Sequence, residues 1–419
     1  MAIPKKYPEL LAPAGDMDAL RSAVQFGADA VYLAGTRFGM RTAPSNFTEE
    51  GLREAVEYAH AHGVRVYLTC NTLPRNDELA DIEAFLPQVQ AAGVDALIAT
   101  DFGTLRLIRR VVPDMEVHIS TQAGITNYEC ANAFYELGAK RVIPARELSL
   151  REIHEMRAHI PEDMEIECFI HGAMCVSFSG RCLLSNYLTG RDSNRGDCAQ
   201  PCRWTYHLQE EKRPGEFYPI GEDEDGTYIL NARDMCMIRH IPELVEAGVS
   251  SFKIEGRAKS PYYVSVVVNA YRCAIDGYLQ NPSPDYVPEQ WILDEVYKVS
   301  HREYCTGFFF GSPRDNAEIF YDGIYRRYYE TCAVGLSYDG EFLHCEQRNK
   351  FWNGDTVEIL ERGKPPVTVT VEDLQTEAGE SLEAVPHPMM RFKFRLPFPV
   401  QDGAILRKAT GEINKEKQA

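Results

Sequence analysis

The sequence is short of positive charge and of long apolar runs. Lysine and arginine total 44 against 62 aspartate and glutamate, a net charge of −18. That balance argues against a protein that coats nucleic acid non-specifically or lies on anionic lipid, while leaving room for a local basic patch. No apolar run is long enough to span a bilayer. The opening MAIPKKYPELLAPAG has no apolar h-region, and Pro4 and Pro8 interrupt it, so no secretory signal is expected. A cytoplasmic protein without a membrane partner is the expectation. Several chemical motifs are also missing. No G-x-G-x-x-G follows a strand-like segment, which counts against a dinucleotide-binding doubly wound sheet. No G-x-S-x-G nucleophile elbow is present. The nearest approach to a zinc-protease motif, His154-Glu-Met-Arg-Ala-His159, spaces its histidines five apart rather than four. Five residues turn a helix by about 500°, which takes the second imidazole off the first one's face.

What is present is a recurring alternation. Strand-like segments at Glu9–Ala12, Ala30–Ala34, Val64–Thr69, Ala96–Thr100, Glu116–Thr121, Arg141–Ala145, Glu165–Ile170 and Ser251–Ile254 are short, continuous and rich in Val, Ile, Leu and Tyr. Such runs suit strands buried on both faces. Helical patterns lie between them, opened by caps such as Asp16, Thr48 and the Ser149–Glu152 capping box. Glycine marks the return from helix to strand at Gly27, Gly63, Gly93, Gly138 and Gly248. Eight β and α units favour a TIM-type (β/α)8 barrel over residues 1–312. The gap between the seventh and eighth strands, about 173–249, is far longer than one crossover needs and reads as a functional insertion. Residues 325–411 change to short alternating strands at Cys332–Tyr338, Phe342–Gln347, Thr356–Leu360, Val367–Val371, Phe392–Leu396 and Ala404–Arg407. These predict a small C-terminal antiparallel β-barrel domain.

The insertion carries Cys175-x6-Cys182-x15-Cys198-x3-Cys202, out of twelve cysteines in the chain. In a cytosolic protein cysteines serve as thiols, metal ligands or catalytic groups rather than disulfides. Structural zinc sites usually repeat a close C-x2-4-C pair, and here only the last pair is close. Four soft thiolates drawn from separated turns suit a 4Fe-4S cluster better. Zinc and ordinary buried thiols are the competing readings. Cys236, on an expected helix at Asp234–His240, is the alternative to Cys202 as fourth ligand.

The run Glu167-Cys-Phe-Ile-His-Gly-Ala-Met-Cys-Val-Ser-Phe-Ser-Gly-Arg-Cys-Leu-Leu-Ser185 resembles the signature of the peptidase U32 family, the collagenase-like peptidases. Glu9–Gly15 (ELLAPAG), Gly196–Trp204 (GDCAQPCRW) and Ser251–Arg257 (SFKIEGR) resemble the same family. The resemblance implies hydroxylation more than proteolysis, because the family includes RNA and ubiquinone-pathway hydroxylases that carry 4Fe-4S clusters. Members with a C-terminal β domain, which the chain resembles most, hydroxylate the wobble uridine of tRNA to 5-hydroxyuridine and depend on prephenate. By that resemblance the cofactor is a 4Fe-4S cluster, the co-substrate prephenate and the partner tRNA. A protein partner of the same family is a further implication. The alternatives are a collagenase-like protease and an iron–sulfur hydroxylase of another pathway, rRNA or ubiquinone.

A barrel places its chemistry at the C-terminal ends of its strands. Those ends carry Asn71, Asp101, Gln122, Arg146, Glu147, His171, Glu255 and Arg257. Glu147 and Glu255 are candidates for an acid/base pair, with His171 beside the cysteines. Arg146 and Arg257 are candidates for binding carboxylates, such as the two on prephenate. Asn71, Gln122 and Arg181 complete the predicted substrate contacts. Residues 175–203 are net basic through Arg181, Arg191, Arg195 and Arg203, and Lys253 and Lys259 extend the positive region. Tyr187 and Trp204 are candidates for stacking on an unpaired base, and the C-terminal domain for gripping the tRNA body.

Overall fold

Eight short apolar segments pair side by side as parallel strands, and the last closes on both the first and the seventh. They are β1 (Glu9–Pro13), β2 (Ala30–Ala34), β3 (Arg65–Cys70), β4 (Ala96–Ala99), β5 (Glu116–Ile119), β6 (Arg141–Val142), β7 (Glu165–Ala173) and, after one extra strand β8 (Asp234–Cys236), β9 (Ser251–Ile254). Glu9 of β1 pairs with Ser251 of β9, and Phe252 of β9 with Cys168 of β7, so the ring is complete. The computed structural model describes residues 8–40, 46–175, 179–193, 196–203, 221–223, 226–228, 231–311, 318–319 and 326–410. All eight strands read from the sequence are present. The fold is a TIM-like barrel.

Helices α1 (Met17–Gln25), α2 (Glu49–Ala61), α3 (Leu79–Ala91), α4 (Phe102–Val111), α5 (Tyr128–Glu136), α6 (Leu150–His159), α7 (Leu184–Thr189), α8 (Ile241–Glu246), α9 (Pro261–Gln280) and α10 (Gln290–Glu295) follow in order. Their starts are chemically marked. Asp16, Thr48, Asp101, Asn127, Ser149 and Ser260 each accept a first-turn backbone N–H on the side chain. His154 and His159 sit on α6 as helix-surface residues. His154 bonds at the Glu246 carbonyl, and the His159 ring stacks on Tyr128 at 4.5 Å.

Two-residue alternation divides the strands. Leu10, Val66, Leu68, Ile166, Ile170, Phe252 and Ile254 point outward and join the large core beneath the helices. Leu11, Tyr32, Tyr67, Ile98, Ile143 and Phe169 fill the barrel's inside. Below them the lining is charged. Arg141, fully buried, donates to Glu9 at 2.7 Å, Glu165 at 2.8 Å and Glu167 at 2.9 Å. Tyr67 and Ser251 also donate to Glu9, at 2.7 and 2.8 Å. Burial works against the Arg141 charge, and Glu9, Tyr67, Glu167 and Glu165 around it more than restore it.

One sequence expectation fails here. Asp234–Cys236 is strand, not the start of a helix, and the helix begins at Ile241. β7 runs past the reach of β6, which pairs only with Glu165 and Ile166, and so leaves an edge at His171–Ala173 for another strand. β8 pairs antiparallel with it, Cys236 opposite His171. β10 (Tyr304–Cys305) adds to β8 in parallel. Arg302 holds Asp234 through bonds of 2.9 and 3.1 Å. Tertiary pairing has overridden the local helical pattern.

Besides a short two-stranded pair of Phe351–Trp352 and Ala384–Val385, the C-terminal domain is built on an antiparallel sheet of seven strands: β11 (Tyr329–Tyr338), β12 (Phe342–Gln347), β13 (Thr356–Leu360), β14 (Val367–Thr370), β15 (Glu372–Thr376), β16 (Arg391–Arg395) and β17 (Ile405–Ala409). Their spatial order is β14-β13-β17-β11-β12-β16-β15. The two outer strands are consecutive in the chain with only Val371 between them, which curls the sheet back on itself. β15 (EDLQT) is the strand not read from the sequence, because four of its five residues are polar. The domain docks on the barrel through Arg407. Its guanidinium, fully buried, binds Glu295 of α10 at 2.6 and 2.7 Å and Glu358 at 2.7 and 2.9 Å.

Replacing Arg141 with Met is expected to cost about 3–5 kcal/mol of folding stability, since it strands buried carboxylates without their cation. Urea denaturation measures this, and a loss under about 1 kcal/mol would show that the carboxylates do not depend on Arg141.

Candidate active site

The inward residues above the charged layer, and the loops beyond the strand ends, enclose a cavity of about 170 Å³. Its wall includes Tyr32, Ile98, Ile143, Phe169 and Lys253 from inside the strands, and Asn71, Gln122, Arg146, Glu147, Glu255 and Arg257 from their C-terminal ends. Cys175, Cys182, Cys198 and Cys202 line the same cavity. None of the four is joined in a disulfide, and none is buried. Residues from five different loops therefore meet at the mouth. Among the described residues, no three His, Cys, Asp or Glu side chains approach closely enough to hold one metal ion.

Several contacts fix the cysteine segment to the barrel. Glu147 accepts the Ser179 backbone N–H at 2.9 Å on one oxygen and its hydroxyl at 3.0 Å on the other. Gly180 has φ +72°, and a β-carbon there would lie 1.9 Å from the Gln122 carbonyl oxygen, so only glycine lets the two backbones meet. Arg146 donates to the carbonyl of Ala173, two residues before Cys175, at 2.9 Å, and its guanidinium lies 4.3 Å from the Phe169 ring centre. Ser193 donates to the Cys182 carbonyl at 2.8 Å, and the Ser185 hydroxyl accepts from Ala199 at 3.0 Å. The Gln200 N–H points at the Cys198 sulfur at 3.4 Å.

The cavity carries three cations, Arg146, Lys253 and Arg257, against the carboxylates Glu147 and Glu255. Lys253 donates to Glu167 at 2.6 Å and stands 4.4 Å above the Tyr32 ring. Burial draws its ammonium below the ordinary lysine range, and Glu167 opposes that shift. Arg257 donates to the Met40 carbonyl. Asn71 accepts from the Met40 N–H at 3.0 Å.

Four predicted site residues fall elsewhere. His171 does not line the cavity. It lies outside the barrel wall among Tyr263, Tyr271 and Tyr304, with Tyr271 Oη 3.3 Å from Nδ1 and Tyr304 Oη 3.4 Å from Nε2. Burial pushes its imidazole down to about 3, so it stays neutral where histidines usually exchange protons. Cys236 belongs to the same group, with Tyr271 Oη 3.9 Å from its sulfur, and burial pushes its thiol up to about 11. Asp101 is the cap of α4, accepting from Thr104 at 2.9 Å. Arg181 is exposed and is not among the lining residues, and Arg191 pairs with Asp197 at 2.7 Å. Arg195, Trp204 and the side chains of Tyr187 and Arg203 lie outside the described residues.

The family model for Peptidase family U32 matches residues 15–319, and that for the Peptidase family U32 C-terminal domain matches residues 327–407. The chain belongs to peptidase family U32. Among relatives of this U32 chain, tRNA hydroxylation protein P1 of Bacillus subtilis is 39% identical over 96% of this chain and 95% of that protein. An uncharacterized protease of Methanocaldococcus jannaschii is 43% identical over 88% of this chain and 90% of that protein. The 23S rRNA 5-hydroxycytidine C2501 synthase of Escherichia coli is 39% identical over 65% of this chain and 40% of that protein. No described helix of the U32 chain is long and apolar enough to cross a membrane.

Sequence reasoning missed Ser179, Tyr32 and Phe169 as site residues. Strand alternation is the signal that could have found Phe169, which shares a face with Glu167 two residues away and pairs with Lys253 across the sheet. Glu147→Ala removes both acceptors of Ser179, contacts worth about 1–3 kcal/mol when a buried partner is left unsatisfied. Faster amide hydrogen exchange over residues 179–202, with the barrel strands unchanged, is the expected result. Unchanged exchange would deny Glu147 its clasping role.

Proposed function

We propose that this chain hydroxylates RNA, converting the wobble uridine of tRNA to 5-hydroxyuridine with a 4Fe-4S cluster and prephenate as co-substrate. The observation that carries the reading is the meeting of four cysteines, three cations and two carboxylates on one cavity at the barrel mouth. The names of the Bacillus subtilis and Escherichia coli relatives support an RNA base as the target.

The donor set suits the cluster. A polynuclear cluster takes one thiolate at each of four separated corners, whereas one ion needs its ligands gathered round a point. Cys175, Cys182, Cys198 and Cys202 would hold it, since all four line the cavity, whereas Cys236, the alternative fourth ligand, is half-buried and is not among the lining residues. When bound, such a cluster supplies one-electron chemistry at the wall.

The remaining roles belong to side chains. Arg146 and Arg257 orient an anionic co-substrate through planar guanidinium forks. Lys253 adds positive potential at the floor. Tyr32 and Phe169 offer flat apolar faces to a ring. Glu255 is the carboxylate assigned to hold or move a proton at the bound base. Glu147, the other half of the acid/base pair expected from sequence, is assigned to holding Ser179. The target base must leave its stack to enter, which an unpaired anticodon base does at low cost.

Deleting the gene and weighing tRNA nucleosides by mass spectrometry is expected to show loss of 5-hydroxyuridine derivatives. Their persistence in a strain with no parallel route would overturn the reading. Anaerobically purified protein is expected to absorb broadly near roughly 400 nm and to carry about four iron and four sulfide per chain, both lost in Cys182→Ala. Colourless protein with stoichiometric zinc would reject the cluster, and gelatin cleavage that survives cysteine replacement would favour the peptidase reading.

A further inference from the structure

In so acidic a chain, basic and aromatic side chains gathered on one exposed surface are unusual, and the C-terminal domain has such a surface. Trp352, 47% exposed, follows the buried Phe351 and faces outward. The Lys350 ammonium stands 4.2 Å from its ring centre. Lys408 of β17 donates to the Lys350 carbonyl at 3.1 Å, and its other neighbours are Glu330 at 3.7 Å and Asp355 at 3.5 Å. Two residues on, Thr410 donates to the carbonyls of Tyr328 and Arg327, both at 2.9 Å. Arg327 is exposed, and Tyr328 is 44% exposed. Arg327, Tyr328, Lys350, Trp352 and Lys408 thus share the end of β17.

That end points toward the barrel mouth. α9 begins just beyond the C-terminal end of β9 and runs away from the mouth. Gly363 binds Asn269, midway along α9, at 2.9 Å. Arg407 interacts with Tyr262, in the first turn of α9, and with Glu295. Passing from Gly363 to Arg407 therefore climbs toward the mouth, and Lys408 and Thr410 continue beyond it. Independently, the Tyr328 ring lies 6.4 Å from that of His301, and Arg326 donates to the His301 carbonyl at 2.8 Å. His301 leads into β10, whose partner β8 lies along the last residues of β7, just before Cys175.

We infer that this surface is a second RNA contact, which holds substrate RNA outside the reacting nucleotide. Trp352 and Tyr328 present flat faces to unpaired bases, and Lys350, Lys408 and Arg327 present charge to the phosphates between them. Flat faces interleaved with cations are what a single-stranded backbone carrying bases requires, and a binding site at this distance from the cavity suits a substrate far larger than the base that reacts. The inference rests on the RNA-hydroxylase reading.

The test uses full-length protein and fluorescently labelled tRNA in anisotropy titrations at two salt concentrations. The double variant K350E/K408E is expected to bind at least about tenfold more weakly, with the slope of log affinity against log salt reduced by roughly 1–2. Trp352→Ala is expected to weaken binding roughly tenfold with the slope unchanged. Arg106→Glu, a charge reversal on α4 across the barrel from the docked domain, is expected to bind as wild type. Thermal melts establish that each variant is folded, and Trp352→Ala, at an exposed site, carries the test if the lysine pair fails to fold. If wild type binds and hydroxylates tRNA but the folded variants bind equally well, this surface is not an RNA contact and the hydroxylase reading stands. If wild type neither binds nor hydroxylates tRNA, both fall.

Discussion

A closed ring of eight parallel strands must fill its own interior, and this chain does so from below with charge. Arg141, on the short strand β6, reaches Glu9, Glu165 and Glu167 from β1 and β7. Taking these ions out of water costs several kcal/mol each, and only the match of one guanidinium to several carboxylates offsets it. The arrangement ties the first strand to the sixth and seventh across the barrel. It also sets the floor of the cavity, since Glu167 shares its second oxygen with Lys253, the lowest cation exposed to the mouth.

Everything above that floor depends on how the long insertion is attached. β7 extends beyond its neighbours, and its last residues carry β8 and then β10. The cysteines that follow are not left to a loose loop. Arg146 and Glu147 beyond β6, and the backbone of Gln122 beyond β5, grip the segment from two strand ends. Polar residues that look catalytic in isolation are thereby divided between two tasks. Glu147 and Arg146 position the segment, with Arg146 also lining the cavity, while Glu255, Arg257 and Lys253 face the interior space.

The two domains are joined by the same chemistry that organises the barrel. Arg407 is buried against Glu295 and Glu358, and Lys298 bridges both carboxylates at 3.1 and 2.9 Å. Leu360 and Ile405 add apolar contact with the barrel core. A junction built on four interlocked charges fixes direction as well as proximity, because a guanidinium and an ammonium satisfy both carboxylates in one geometry. The end of β17 is thereby directed to the mouth.

The sequence by itself determined the eight strands, the helix caps, the insertion and the cysteine spacing. Each is local: runs such as Ala30–Ala34, a cap such as Asp16, a turn glycine such as Gly27 carry their meaning within a few residues. It also marked Asn71, Gln122, Arg146, Glu147, Glu255 and Arg257, because strand ends of one polarity meet once a barrel closes. Tertiary structure alone decided which of the polar candidates stay at the mouth. His171 and Cys236 face outward into a tyrosine cluster because β7 continues beyond β6 and gains β8 as a partner, which no nearby residue announces. Asp101 is a local cap, bonded within three residues, whereas the charged floor around Arg141 is invisible along the chain, since Arg141 and its partner Glu9 lie 132 residues apart. Periodicity reports which face a residue shares, and only the closed barrel determines what that face meets.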